Sequence, residues 1–244
     1  MFSCQKKLQE VFKTFTKGNY NLLLIFLVFI FIFRPYAPGL LYLGIWKIFL
    51  TATLLAAIFN CEHRTLVKKT VLYMAIPSLA LTWIDLFFTQ EIIFLCYSFF
   101  TILFIIVCAA SILYDVLMRT RVSLETLKGV VCAYFLVAFM FSYIYFLIEY
   151  VNPGSMLING KIIPVIPHPY YLAQMLYFSF ITLLTIGYGD IIAVKDAAQT
   201  ACVLEGLIGQ FYIAILVSRL VAIHSFKQVS GTHEKHHPSK NLLE

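Results

Sequence analysis

The chain has 244 residues, of which 61% are hydrophobic and 12% charged, with a formal net charge of +6. A soluble domain carries charge on roughly a quarter of its residues, and 23 Phe with 15 Tyr leave too few polar side chains to clothe a surface in water. The composition excludes a water-soluble domain and makes lipid part of the solvent.

At the N-terminus, Lys6, Lys7, Lys13 and Lys17 precede an apolar run over 18–33. Arg34-Pro35-Tyr36-Ala37-Pro38 is a poor cleavage site, so this run is expected to stay as a first span and not to leave as a signal peptide. About 20 apolar residues cross the hydrocarbon, and lipid-exposed backbone must bond to itself, so the spans are expected to be helices. Further spans are expected over 40–59, 70–88, 92–115, 129–150 and 198–223, with a stretch at 170–184 too short to cross alone. The pattern predicts an all-α membrane protein of six transmembrane helices and one re-entrant segment.

Lys47 and Asp85 fall inside the second and third expected spans, at similar depth. They are candidates for an intramembrane ion pair, either a ligand or ion site or a purely structural pair. The fourth expected span, from Glu91 to Asp115, has no Lys or Arg; Arg119 and Arg121 follow it. Residues 116–128 set Val116, Leu117, Leu124 and Leu127 beside Arg119, Arg121 and Lys128, which suggests a helix along the membrane surface. Residues 151–168, with prolines and glycines, predict an ordered loop. The tail, 229–244, is polar, holds His233, His236 and His237, and is expected to be disordered; these histidines either bind metal or face water.

All but four of the 18 Lys and Arg fall on one side when the N-terminus is cytoplasmic, the exceptions being Arg34, Lys47, Lys161 and Lys195. The positive-inside rule then places both termini in the cytoplasm of a multi-pass protein in a plasma or bacterial inner membrane. The six cysteines, Cys4, Cys61, Cys96, Cys108, Cys132 and Cys202, form no CxxC pair and are expected to be reduced packing residues.

The most specific stretch is Thr182-Leu183-Leu184-Thr185-Ile186-Gly187-Tyr188-Gly189-Asp190. A column of carbonyls aimed at one axis needs dihedrals that a Cβ resists, and Gly187 and Gly189 remove that penalty. Tyr188 supplies a large ring to pack outward on the preceding helix, Thr185 a hydroxyl at the inner mouth, and Asp190 negative charge at the outer end. Pro169 is placed to open a helix through about Leu184 whose C-terminal dipole end favours a cation. Asp196 is placed to cap the last span.

This stretch resembles the signature of potassium channels with six-helix subunits and one pore loop per subunit, and the likeness extends from about Leu127 to Val221. The resemblance implies a selectivity filter at Thr185, Ile186, Gly187, Tyr188 and Gly189, whose carbonyls replace the water around K+, the general account of such filters. One chain has one pore loop, so a closed ring implies a homotetramer. Thr182, Asp190 and Glu149 are implied as filter support, although Glu149 could equally face water. Gly209, with Gly206 as its rival, is implied as the bend of the inner helix or serves close packing. Ile213, Val217 and Val221 follow a helical spacing that lines a pore or packs. Leu184 and Ile181 depart from the polar residues that many such channels carry at those positions.

Three regions are therefore expected: 1–118, an N-terminus and a four-helix unit without voltage-sensing charges; 119–228, a linker and pore module; and 229–244, a tail. K+ is the expected ligand and the lone metal, with no organic cofactor, no nucleic-acid partner and no enzymatic activity. The expected function is passive K+ conduction, and the alternative is a regulatory or silent subunit of a heteromeric cation channel. One charge moved through the field is worth about 2.3 kcal/mol per 100 mV, and the fourth span offers no such charge. Conductance is expected to change little between strongly negative and strongly positive potentials, and a steep sigmoidal activation curve would count against this.

Overall fold

The computed structural model describes residues 20–33, 47–48, 51–52, 65–87, 91–118, 124–162 and 169–234, with the side chains at 31, 33, 65–68, 85–87, 91, 115, 169–170 and 220–234 left aside. Six helices are delimited in chain order: α1 (Asn21–Phe33), α2 (Thr65–Phe87), α3 (Glu91–Met118), α4 (Leu124–Val151), α5 (Pro169–Leu183) and α6 (Asp196–Glu234). Two short strands, β1 (Met156–Ile158) and β2 (Ile191–Ala193), amend the all-α expectation. Of the expected span at 40–59, only residues 47, 48, 51 and 52 are described, all helical.

Among the described residues three helices are long and apolar enough to cross a membrane: Ile92–Met118, Leu124–Val151 and Asp196–Arg219. Shorter apolar helical stretches cover Asn21–Ile30, Lys69–Ile84 and Tyr171–Leu183. The protein is a multi-pass membrane protein on these spans. The stretch expected to be re-entrant is the short helix α5, opened by Pro169 at its first position, where a missing N–H breaks no helical bond.

α4 is the hub, packing against α1, α3, α5 and α6. Its buried residues, among them Cys132, Leu136, Phe139, Phe141, Tyr143 and Phe146, lie all round the helix, as many neighbours require. Gly129 permits one close approach: a Cβ there would come within 2.9 Å of the Tyr20 ring. α2 packs on α3 and α3 on α4. Tyr97 of α3 and Tyr143 of α4 share a hydroxyl hydrogen bond of 2.5 Å with their rings edge to face.

Of the surface helix expected over 116–128, residues 116–118 belong to α3 and 124–128 to α4, and 119–123 lie outside the described residues. Lys128 instead pairs with Glu125 one turn earlier, at 2.8 Å. Arg219 of α6 donates to the Val116 carbonyl near the described end of α3.

The loop after α4 is more structured than its composition suggests. β1 pairs antiparallel with β2, Met156 opposite Ala193 and Ile158 opposite Ile191. Asn159 and Gly160 both have positive φ, 51° and 73°, and Ile158 and Lys161 exchange two bonds of 3.0 Å across them, a two-residue turn that an Asn-Gly pair favours. β2 follows immediately after residues 182–190 in sequence, whereas β1 precedes α5.

α6 continues through Glu234, so residues 229–234, expected to be disordered, extend the last helix; 235–244, with His236 and His237, lie outside the described residues. At 39 residues it is about 58 Å long, well beyond a hydrocarbon core of about 30 Å. Asp196 is its first helical residue, and the Lys195 carbonyl accepts the first helical bond from Gln199 at 3.0 Å. Asp196 thus lies one place beyond the cap, where its charge still meets the positive helix end.

Candidate functional site: a strand held at both ends

The inner end of the filter stretch is made by the way α5 stops. Ile186 N–H donates to the Ile181 carbonyl at 2.8 Å and Thr185 N–H to the Thr182 carbonyl at 2.9 Å, a pair of bonds that ends a helix when the residue between is left-handed. That residue is Thr185, with φ of 57°. A β-branched residue is costly there, of order 1–3 kcal/mol, and the two bonds hold it. The glycines were expected to carry all of the unusual dihedrals, but Thr185 shares them. Gly187 N–H also reaches Ile181, at 3.3 Å.

Beyond it, Gly187 and Gly189 have φ of 56° and 83°. A Cβ at either would meet nothing within 4 Å, so backbone hand and not space requires glycine. Left-handed residues at 185, 187 and 189 alternate with ordinary ones at 186 and 188. Alternating hand turns successive N–H groups to one face of a strand and successive carbonyls to the other. Here the N–H groups of 185–187 turn back to α5. Among the described residues, none donates to the carbonyls of Thr185–Gly189.

The outer end is held by the sheet. The Asp190 carbonyl accepts from Asn159 N–H at 2.7 Å, and β2 starts at the next residue. Behind β1 stands Glu149, completely buried, whose two carboxylate oxygens accept Gly154 N–H at 2.7 Å and Met156 N–H at 2.8 Å. Glu149 does not face water; it fixes β1, next to the Asn159 whose N–H binds the Asp190 carbonyl. One Asp190 oxygen, Oδ1, is buried without a partner among the described residues.

Other expected residues are placed differently. Tyr188 is 71% exposed and does not bury its ring on its own helix α5. Thr182 contributes its carbonyl to the turn at Thr185. Gly209 is buried: a Cβ would come within 2.7 Å of the Leu183 carbonyl oxygen, which also accepts from Tyr134 at 3.0 Å. Gly206 has open space around it. Ile213 and Val217 are exposed along α6, whereas the Val221 side chain lies outside the described part. Lys47 is buried, but the Asp85 side chain is likewise outside, so that pairing is not described.

Three groups absent from the expectations join the site. Glu205 of α6 is completely buried and accepts from Tyr145 of α4 at 2.6 Å, and it meets the Ser179 hydroxyl of α5. The sequence signal was present, since an ionisable side chain inside a span is rarely idle. No comparable signal marks Ser179 or Tyr145 among many polar residues of their kind.

The comparison with known families agrees with this geometry. Residues 134–225 match the family model of an ion channel. The matched segment takes in α5, the filter stretch, the sheet's second strand and most of α6, so these elements form an ion-channel pore domain, not an enzyme's active site. No curated protein and no solved structure matches the chain.

In this pore domain the contact between Gly209 and Leu183 has a measurable consequence. Gly209→Ala has to displace α5 or α6 and should cost about 1–3 kcal/mol by overpacking, whereas Gly206→Ala should cost nothing and gain helix propensity. Thermal unfolding of the detergent-solubilised protein checks this: Gly209→Ala should melt lower and Gly206→Ala no lower than the parent.

Proposed function

We propose that four copies of this chain form a potassium-selective channel in a cell membrane, conducting passively and with weak voltage dependence. The observation that carries this is the alternating-hand strand Thr185–Gly189, with the N–H groups of 185–187 turned back and its carbonyls without donors among the described residues. Such carbonyls suit the dehydration of a weakly hydrated cation, and Thr185-Ile186-Gly187-Tyr188-Gly189 resembles the filter that does this in potassium channels. K+ is the ligand, and no organic cofactor is needed.

Four-fold assembly is supported by what a single chain leaves uncovered. Only 22% of the apolar window of α6 is buried, against 56% for α4. Val203, Leu204, Leu207, Phe211, Ile213 and Val217 are exposed along that helix, and Tyr188 stands out beside the filter. A neighbouring subunit would cover part of this surface and a water-filled path the rest. In this assembly Glu149 and Asp190 support the filter's outer end and Thr182 its inner turn. Ile213, Val217 and Val221 line the inner path. Gly206 is the freer of the two candidate hinges, because Gly209 is held against Leu183.

The remaining regions take their roles from this. Residues 1–118 are a membrane unit without a charged sensor helix, 119–228 the linker and pore, and 229–244 a tail continuing from α6. The distribution of Lys and Arg supports cytoplasmic termini. Lys47 and Asp85 stay a candidate pair within the first unit.

The test is flux from liposomes containing this chain alone. The parent should pass K+ in strong preference to Na+, and Gly187→Ala or Gly189→Ala should abolish that preference by forcing a Cβ into left-handed backbone. Unchanged selectivity in both variants would refute the filter assignment. Absence of any flux from the parent alone would favour a regulatory subunit that needs a different partner.

A further inference from the structure

Glu205 lies one helical turn before Gly209 on α6, and three polar groups from two other helices meet around it. Tyr145 Oη of α4 donates to Glu205 Oε2 at 2.6 Å. Ser179 Oγ of α5 lies 2.8 Å from the Ala138 carbonyl oxygen of α4 and within hydrogen-bond reach of Glu205 Oε1. All three side chains are completely buried.

The protons do not suffice if Glu205 is a carboxylate. A serine hydroxyl has one hydrogen, and it faces two acceptors, a carbonyl and a carboxylate oxygen, neither of which has a proton to give. One of the two short oxygen–oxygen contacts would then be without hydrogen in a site shielded from water. With a proton on Oε1, every contact becomes a hydrogen bond: Glu205 donates to Ser179, Ser179 donates to the Ala138 carbonyl, and Tyr145 donates to Oε2.

The surrounding groups agree with a neutral acid. The titratable neighbours are Tyr145 and Tyr134 on α4 and Cys202 on α6 itself, with none from α5. The side chains that bond to Glu205 are the two hydroxyls of Ser179 and Tyr145, both uncharged. A lone charge buried there would be without compensation.

We propose that Glu205 is a positioning residue for the filter and acts as an uncharged carboxylic acid, tying the inner helix α6 to α5 through Ser179 and to α4 through Tyr145. Ser179 stands two residues before Ile181, whose carbonyl holds Ile186 and Gly187 N–H, so this knot sets where α5 presents the filter strand. The conduction consequence rests on the function proposed above; the protonation state does not.

The experiment compares the full-length protein with Glu205→Gln and Glu205→Leu, reconstituted in liposomes at neutral pH. Infrared spectra should show a protonated carboxylic-acid C=O stretch in the parent that both variants lack. Glutamine can donate to Ser179 and accept from Tyr145 as the acid does, so Glu205→Gln should keep the parent's preference for K+ over Na+. Glu205→Leu strands both hydroxyls and should lower that preference about tenfold. If Glu205→Leu fails to assemble, the spectrum and the glutamine variant decide. The inference is overturned if no acid band is lost in Glu205→Gln, if Glu205→Gln fails as Glu205→Leu does, or if Glu205→Leu keeps full selectivity. A parent showing the acid band without K+-selective flux would overturn the proposed function and the filter role together.

Discussion

The rest of the structure depends on one backbone constraint: five consecutive residues whose hand alternates, so that N–H groups and carbonyls part to opposite faces. A strand of that kind has no ladder partner to hold it, and each left-handed residue works against its own sterics. The fold answers by fixing both ends within one subunit. Ile181 and Thr182 hold the inner end through the close of α5, and Asn159 holds the outer end through the Asp190 carbonyl. The two-stranded sheet, small as it is, holds the outer end of this strand. Glu149 lends that sheet two charge-assisted bonds from beneath.

Behind the strand, polar side chains join helices that apolar packing alone would leave free to slide. Hydrocarbon supplies no hydrophobic drive between helices, so packing and interhelical hydrogen bonds carry the association. α4 shows this along its length: Tyr134 binds the Leu183 carbonyl, Tyr145 binds Glu205, and the Val130 carbonyl accepts from Tyr212 at 2.5 Å. Each bond joins α4 to α5 or α6. Arg219 adds a tie between the far part of α6 and α3. Movement of α6 is therefore opposed at three levels, near Glu205, near Tyr212 and near Arg219.

Much of this was legible in the sequence. The match of residues 134–225 to an ion channel agrees with the expectation of a channel, the short helix opens at Pro169 and Gly187 and Gly189 have positive φ as expected, while the final helix runs beyond its expected end to Glu234. Helices in lipid are forced by backbone hydrogen bonding, and left-handed backbone selects glycine, so both leave marks in composition. The Asn159-Gly160 turn was equally readable as a hairpin signal, but the surrounding prolines masked it as a loop.

Other features were decided only by the folded chain. Thr185 adopts a left-handed conformation because helix termination demands it, against its own preference. Gly209 serves close packing because the Leu183 carbonyl happens to face it, which no spacing reveals. Glu149 and Glu205 look alike as single acids near apolar runs, yet one accepts backbone N–H groups and the other meets hydroxyls from two helices. Sequence by itself determined which segments must be helical and where glycine must stand, since those follow from local sterics and the solvent. The tertiary structure alone decided which polar group answers which, because partners tens of residues apart meet only when the helices pack.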